Sequence, residues 1–365
     1  MSVHALHIRI AVMVVLAAAL AVSLVWWHDR SVEAQQGPLI VNYLLDDRGI
    51  CDTDCGLREA ILSAAPGTII QVPADRFLLT LNTEIVIDKP LTIRGAGADQ
   101  TFIEPSITLA SSTVRVFRVT SEDVVISDLT IRHGSVSGDG GAILNEGGLT
   151  IENSILTNNH ASINGGAVAN KGTLRLMNTT IIDNSASLNG GGVFSGSNAN
   201  LVVEQSFVLN NSAINGGGIY NELRGKIEII DSGIRDNIAD SGGGVHSQGS
   251  SVVSVDNTTF LGNTATSTGG GIFSLGNFSI DRSSLRENIA VHGAAVYVGA
   301  GDFDMTLVQV LDNSAELGGG AFVAGDGSLS ATQSTLENNA AISSGGAVFV
   351  RDGGGTESYC QHDRQ

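Results

Sequence analysis

The chain has 365 residues with 46 glycines and 5 prolines, and its apolar residues are spread evenly with no linker-like stretch. This distribution favours one long repetitive unit over two or three separate domains. The formal net charge of −18 excludes a nucleic-acid-binding role, because an acidic surface repels phosphate backbones. It also repels acidic sugars, unless a divalent cation bridges the two. Three cysteines are too few for a disulfide scaffold.

Residues 1–34 predict an export segment. Arg9 precedes an uncharged apolar run from Ile10 to Trp27, and Val32-Glu33-Ala34 offers a small-residue cleavage site. The run is long for a signal peptide and nearly long enough to span a bilayer. The segment is therefore either a cleaved signal peptide or an uncleaved membrane anchor. Both alternatives predict a secreted or cell-surface protein (outer membrane or extracellular) that contacts the membrane only through this segment.

Residues 35–66 predict an N-terminal cap. The segment from Leu39 to Leu45 has the character of a strand. Leu57, Ala60, Ile61 and Ala64 then follow helical spacing and give one apolar face, and Pro66-Gly67 ends that helix. Because the end of a stack of strands is an open sheet edge, we expect the helix to cover the first coil of the following repeats.

The sequence CDTDCGLREA at residues 51–60 resembles the CSLREA motif, which opens many exported bacterial β-helix proteins. The similarity continues through PGTII at residues 66–70 and LTIRGAG at residues 91–97. Members of this family are mostly uncharacterised, and the surface proteins among them are thought to act in adhesion. The resemblance implies an exported protein of the pectate-lyase-like superfamily fold.

The motif departs from the family at Gly56, where the family has serine. In the family, this serine and the glutamate three residues later form a capping box at the helix N-terminus. Gly56 loses the serine's side-chain hydrogen bond, and we expect this loss to cost a few tenths of a kcal/mol. The motif also makes Cys51 and Cys55 a candidate disulfide after export, with two free thiols or a different pairing as alternatives.

Residues 67–352 carry two repeating elements that share one period. A Gly-Gly-(Ala/Gly)-apolar element recurs in steps of 24–27 residues, with its apolar residue at Ile143, Val168, Val193, Ile219, Val245, Ile272, Val296, Phe322 and Val348. An apolar-x-x-Asn element places asparagines at Asn158, Asn184, Asn210, Asn237, Asn263, Asn288, Asn313 and Asn339. The repeats resemble those of chlamydial polymorphic outer-membrane proteins, whose signatures are Gly-Gly-Ala-Ile and Phe-x-x-Asn.

Between these elements, segments such as Leu201-Val-Val203 alternate with period two, which is typical of strands with one buried face. The sequence therefore predicts an all-β fold, a single-stranded right-handed parallel β-helix of about 11 coils of roughly 25 residues, each with three short strands. Equivalent residues of neighbouring coils stack directly on one another. The asparagines are then expected to form a structural ladder of side-chain hydrogen bonds.

No catalytic residue is predicted. The histidines lie at different phases of the repeat, so they would not gather at one point: His133, His160, His246 and His292. Asp231, Asp256 and Asp281 fall at a similar phase in consecutive coils, which makes them a candidate Ca²⁺ stripe or a solvated strand end. A catalytic site would have to lie among residues 95–140, where the pattern is looser and which include Arg132-His133-Gly134.

Residues 353–365 follow no repeat and predict an irregular tail. The function predicted is that of an exported or cell-surface scaffold that acts in adhesion, or binds a protein or a glycan, without catalysis. It needs no cofactor, with Ca²⁺ at the aspartate stripe as the one candidate ion. The alternative is a carbohydrate-active enzyme, a polysaccharide lyase or glycoside hydrolase, which rests on analogy of fold. Clustered acids and aromatic rows would favour that enzyme.

Overall fold

The computed structural model describes residues 37–45, 51, 53–81, 83–105 and 113–351, together with the backbone of residues 355–359. The predicted export segment, residues 1–34, lies outside the described residues. Among those that are described, no helix combines the length and the apolar character needed to cross a membrane.

The chain winds into a right-handed parallel β-helix of about eleven coils, as predicted. Each coil contributes to up to three faces, which we name sheets A, B and C. Sheet A is formed by Leu39–Ile40, Thr68–Gln71, Ile85–Ile87, Leu91–Arg94, Phe117–Val119, Val124–Ser127, Ile143–Asn145, Gly148–Glu152, Val168–Asn170, Thr173–Met177, Val193–Ser195, Asn200–Glu204, Ile219–Asn221, Lys226–Ile230, Val245–Ser247, Val252–Asp256, Ile272–Ser274, Asn277–Asp281, Val296–Thr306, Ala321–Thr332, Val348–Val350 and Gly355–Tyr359.

Sheet B follows sheet A in each coil and takes one strand from each. It is formed by Asp75–Leu78, Thr101–Glu104, Thr130–Arg132, Ile155–Thr157, Thr180–Ile182, Phe207–Leu209, Gly233–Arg235, Thr259–Leu261, Ser284–Arg286, Gln309–Leu311 and Thr335–Glu337. Sheet C is short and interrupted, and it is formed by Ser135–Val136, His160–Ala161, Ser185–Ala186, Ile238–Ser241, Thr264–Thr268, Ser314–Leu317 and Ala340–Ser344.

Inward side chains repeat at the same register positions and form continuous apolar columns. One column of sheet A is formed by Leu149, Leu174, Leu201, Ile227, Val253, Phe278, Phe303 and Leu329. All of these side chains are buried, and burial of one such side chain contributes about 2 kcal/mol. Since every coil adds to the same columns, the sequence period specifies the fold.

Glycines divide sheet A into two strands in most coils, whereas the sequence predicted three strands per coil in total. A Cβ atom on Gly172 would lie 2.1 Å from the carbonyl oxygen of Gly147 in the preceding coil. Only glycine allows the two coils to approach this closely at the turn. The first glycine of the Gly-Gly pair in each Gly-Gly-(Ala/Gly)-apolar element has positive φ, as at Gly165 with φ 68°.

The N-terminal cap consists of a short strand and one helix. The strand covers Leu39–Ile40, shorter than predicted, and Leu45 adds a single bridge to Leu78. The helix covers Leu57–Ser63 and buries its apolar face against the core of the coils. At its start, the Gly56 N–H donates to Glu59 Oε2 over 2.8 Å, so half of the capping box survives without the serine.

The residues around the cap helix tie it to the first coils. A disulfide joins Cys51 and Cys55 just before the helix. Arg58 is buried and donates to the carbonyl oxygens of Thr83 (2.6 Å) and Glu84 (2.8 Å). These bonds fasten the helix to the chain that enters the next coil.

The prediction of an irregular tail is wrong for residues 355–359. Gly355–Tyr359 is a strand of sheet A that pairs in parallel with Ser328–Thr332. Without residues 355–359, the Ser328–Thr332 part of the strand Ala321–Thr332 would leave one edge of its backbone unpaired and open to any segment that reaches it. Such pairing uses only backbone hydrogen bonds, so the side chains of this segment carry no repeat from which the strand could be predicted.

Candidate functional site

A ladder of asparagines follows the corner between sheets B and C, and all of them except the last, Asn339, are buried. Each side-chain Nδ2 donates to Oδ1 of the asparagine in the next coil over 2.8–3.1 Å. The ladder is formed by Asn159, Asn184, Asn211, Asn237, Asn263, Asn288, Asn313 and Asn339. Because these side-chain amides hydrogen-bond to one another, the ladder stabilises the corner and leaves no amide group for a ligand.

Two of the predicted ladder positions, Asn158 and Asn210, are wrong. Both side chains are exposed, and both residues have positive φ, 54° and 53°. In these two coils the asparagine is doubled, and the second one, Asn159 or Asn211, points inward. The preceding strand sets the choice: Val208 is the buried residue of its coil, while its neighbour Phe207 is 44% exposed.

A stack of rings, which was not predicted from the sequence, runs along sheet A. Centroids of successive rings lie 4.4–5.7 Å apart. The rings belong to Phe194, Tyr220, His246, Phe273, Tyr297, Phe322 and Phe349. Each inner ring covers the face of its neighbour, so the stack lacks the open faces on which sugar rings lie. The sequence carries a signal for the stack: from Val193 onwards, an aromatic residue or a histidine follows the apolar residue of each Gly-Gly element.

Phe322 was assigned to the wrong position of its repeat. In the register of sheet A, Ala321 pairs with Val296 and Val348 at the inward position, and Phe322 pairs with Tyr297 in the ring stack. The three consecutive glycines at residues 318–320 allowed either alignment from the sequence. The structure decides for the one that stacks the rings.

Asp256 and Asp281, two of the three aspartates in the predicted stripe, lie side by side at the ends of neighbouring strands of sheet A. Asp231 is not in register with them, because Ile230 is the residue that pairs with Asp256. Asp231 lies on the following turn with φ 50°, and its Oδ1 accepts a hydrogen bond from Asn257 Nδ2 over 2.6 Å. The stripe is therefore a pair, with Asp231 displaced by one residue.

An arginine occupies the position where a cation was expected. Arg282 donates from Nη2 to Asp256 Oδ2 over 2.6 Å and from Nη1 to Asp281 Oδ2 over 2.8 Å. The hydrogen bond with Asp256, reinforced by the charges of both aspartates, raises the pKa of Arg282. The Oδ1 atoms of Asp256 and Asp281 are covered and have no hydrogen-bond partner within the described structure.

The two aspartates line an open groove of about 450 Å³, together with Glu228, Asp304 and Arg282. Nowhere in the described part of the chain do three or more His, Cys, Asp or Glu side chains come close enough to hold a metal ion. The groove thus carries acidic charge, but its central carboxylates are bound to a guanidinium.

A second charged cluster lies on sheet B and joins residues from both ends of the region 95–140, where the sequence pattern is looser, with one residue of the preceding coil. Its centre is Glu104, whose side chain is fully buried although it ends a strand. Arg76 Nε donates to Glu104 Oε1 and Arg132 Nε to Oε2, each over 2.7 Å. His133 Nδ1 lies 3.1 Å from Oε2. The guanidinium of Arg132 also lies over the ring of Phe102, 4.3 Å from its centroid.

This cluster, defined as Arg76, Phe102, Glu104, Arg132 and His133, was found only in part from the sequence. The sequence pointed to Arg132-His133 but not to Glu104, which lies 28 residues before Arg132. The register of the two strands would have revealed the contact. Ile103 pairs with Ile131, so the next residue of each strand, Glu104 and Arg132, must be neighbours on the outer face.

The cluster binds charge and is not arranged for proton transfer. Both carboxylate oxygens of Glu104 already accept hydrogen bonds from guanidinium groups, so neither is free to act as a base. The other histidines lie elsewhere, as the repeat phases predicted: His160 contacts Ser185 Oγ, His246 lies in the ring stack, and His292 lies against Phe322.

Residues 257–275 match the repeat of the Chlamydia polymorphic membrane protein family. The matched segment contains the Phe260-x-x-Asn263 element and the Gly270-Gly271-Ile272 element, so the predicted resemblance is confirmed at the level of this repeat. No curated protein matches the sequence at a significant level.

Solved structures with a similar fold include carbohydrate-active proteins. The catalytic domain of a GH87 alpha-1,3-glucanase in complex with tetrasaccharides is 14% identical, with 88% of this chain and 68% of that chain covered and a TM-score of 0.48. The A-module of an Azotobacter vinelandii mannuronan C-5 epimerase is 14% identical, with 82% and 95% covered and a TM-score of 0.32. At this identity and these TM-scores, the similarities concern the fold and carry no argument about activity.

Proposed function

We propose that this chain is an exported surface scaffold whose β-helix faces bind a glycan or a protein without catalysis. The observation that carries the proposal is the state of the groove carboxylates. Arg282 occupies one oxygen of both Asp256 and Asp281, and the second oxygen of each is covered. A catalytic acid, base or Ca²⁺ ligand needs an oxygen that the substrate or the ion can reach.

The surface of the repeats supports a binding role. Ile163, Leu188 and Ile214 precede Asn164, Asn189 and Asn215, which pair from coil to coil, so the three aliphatic side chains form a row. Each of the three is at least 40% exposed. A row of exposed aliphatic side chains on consecutive coils is a surface that a partner can cover.

The match of residues 257–275 to a membrane-protein repeat supports a location at the cell surface. It agrees with the export segment predicted for residues 1–34. A long, regular rod displayed at a surface suits adhesion, because each coil repeats the same set of outward positions.

The test combines a binding assay with an activity screen on the purified full chain. We expect saturable binding to cells or to a glycan array, and no new reducing ends or unsaturated products from pectate, alginate, chondroitin or neutral glycans, with or without Ca²⁺. Cleavage that requires Ca²⁺ and is lost in Asp256→Asn would overturn the proposal. Asp236→Asn, on a turn outside the groove, is the matched control and should leave any activity unchanged.

A further inference from the structure

We infer that the cluster on sheet B binds a single oxyanion carried by a sugar, either the carboxylate of a uronic acid or a sulfate ester. Arg76 and Arg132 would hold the oxyanion, and Glu104 would hold the two arginines in place. This inference rests on the proposed function and deepens it, because it names the class of glycan and the residues that recognise it.

The two arginines are held in place before any ligand binds. The Glu104 side chain is fully buried and accepts hydrogen bonds from both guanidinium groups. A buried carboxylate without a partner is strongly unfavourable, so the pairs with Arg76 and Arg132 persist in the free protein. A ligand then binds groups that are already ordered, which reduces the entropy lost on binding.

The cluster keeps a positive charge after Glu104 has paired with both arginines. Within the cluster, one carboxylate between two guanidinium groups leaves a formal charge of +1; the carboxylate of the neighbouring Asp75 accepts a hydrogen bond from the backbone N–H of Arg76 over 2.8 Å. The side chains of Arg76 and Arg132 are 46% and 23% exposed, so solvent reaches both. In the described structure Arg132 is bound to Glu104 through Nε, and no hydrogen bond involves its Nη atoms. Free guanidinium N–H groups match the geometry of carboxylate and sulfate oxygens.

The ring of Phe102 gives the cluster an apolar surface beside the charged groups. Phe102 is half-buried and lies under Arg132, 4.3 Å from the guanidinium carbon to the ring centroid. This contact limits the directions in which Arg132 can point. It also places aromatic carbon next to the charged groups, where the C–H face of a sugar ring can rest.

The negative net charge of the chain favours binding of an isolated oxyanion over binding of a polyanion. With a formal net charge of −18, the protein as a whole repels a polyanion such as pectate. Screening limits this repulsion to about 8 Å at physiological ionic strength. One acidic sugar within an otherwise neutral glycan therefore responds chiefly to the local positive charge of the cluster.

The experiment is a calorimetric titration of the purified full chain with galacturonate, with inorganic sulfate and with neutral galactose. The variant Arg76→Gln removes one guanidinium, and Arg175→Gln is the matched control, an arginine of 45% exposure that pairs with Glu204 on sheet A. We expect galacturonate or sulfate to bind the wild type, Arg76→Gln to weaken that binding at least tenfold, and Arg175→Gln to leave it unchanged. Galactose should not compete.

The arms of the experiment separate the two sources of the oxyanion. Tighter binding of galacturonate supports a uronic acid, and tighter binding of sulfate supports a sulfated sugar. Absence of binding by both anions, or equal binding by the Arg76→Gln and Arg175→Gln variants, overturns the inference. The glycan array is independent of this result, so capture of neutral glycans there would leave the proposed function standing. If Arg76→Gln does not fold, as checked by circular dichroism, Arg76→Lys keeps the charge, and we expect it to bind severalfold more weakly.

Discussion

His246 places a titratable ring in the middle of the ring stack. Its centroid lies 5.0 Å from that of Tyr220 and 4.4 Å from that of Phe273. Burial lowers the pKa of His246 to about 4, from an ordinary value of 6.5. The folded protein therefore holds this imidazole neutral at pH values where the unfolded chain would protonate it.

We predict that this histidine makes the protein less stable in mild acid. Between about pH 6.5 and pH 4 the unfolded state binds more protons at His246 than the folded state does, so the free energy of unfolding falls as the pH falls. The loss reaches about 3 kcal/mol near pH 4, because the pKa of His246 is about 4 in the folded protein and has its ordinary value of 6.5 in the unfolded chain. Thermal unfolding measured from pH 7 to pH 4 should show that His246→Phe lacks this part of the decline.

A substitution of another ring in the stack, which leaves His246 in place, serves as the control. Phe194→Leu, two rings away from His246, should lower the unfolding temperature by a similar amount at every pH, since it removes packing and leaves the rings on both sides of His246 in place. If the wild type and His246→Phe lose stability in parallel as the pH falls, the stack does not hold His246 neutral and the prediction is wrong.

At the scale of the structural element, the asparagine ladder is paired with a polar turn. Asn211 lies in the ladder and donates to Ile181 O over 3.0 Å and to Asn237 Oδ1 over 3.1 Å. Asn210 is exposed on the turn with positive φ. The equivalent turn position holds aspartate in three other coils, Asp183, Asp236 and Asp312, each with φ of 54–58°.

We predict that aspartate is tolerated at one of these two neighbours and not at the other. Asn211→Asp loses both side-chain donors and puts a carboxylate into the buried corner, and should cost about 3–5 kcal/mol. Asn210→Asp reproduces a residue that other coils already use, and should change stability by less than about 0.5 kcal/mol. Urea unfolding of the two variants checks this difference, and equal midpoints would show that the ladder adds no stability.

At the scale of the whole molecule, the cap decides whether the rod ends or associates. The helix buries Ile61, which is 1% exposed, against the first coils, while its neighbour Leu62 is 59% exposed. If the helix is displaced, the backbone groups of the first strands become available to another chain.

We predict that Ile61→Asp displaces the cap and causes self-association. A charge at this buried position should cost at least about 3 kcal/mol, and light scattering should detect dimers or larger species. Leu62→Asp introduces the same charge on the exposed face of the same helix, and should remain monodisperse with unchanged stability. A monodisperse Ile61→Asp protein would show that the cap is dispensable for protecting the end of the rod.

How far the sequence predicts the molecule depends on the range of the interaction. The 24–27-residue period and the period-two segments predict the β-helix, because equivalent residues such as Leu174 and Leu201 must stack whenever successive coils have similar length. The cap helix follows from the local spacing of Leu57, Ala60 and Ile61. These features depend on residues close in sequence or on exact repetition.

The positions of individual side chains needed the tertiary structure. Asn158 and Asn159 are equally good ladder residues in the sequence, and only the strand register turns one inward. The same holds for Ala321 and Phe322 after three glycines. A one-residue shift reverses the two faces of a strand, and the sequence alone does not say which coil carries the extra residue.

The charged sites show the same division between sequence and structure. Composition determined that the chain is acidic, and the repeat placed Asp256 and Asp281 in successive coils. Only the structure decided that Arg282 binds both aspartates, and that Glu104 gathers arginines from the coils before and after it. The physical reason is that the contacts of Arg282 with Asp256 and of Glu104 with its two arginines join residues 26–28 positions apart, whose proximity depends on the length of every turn between them.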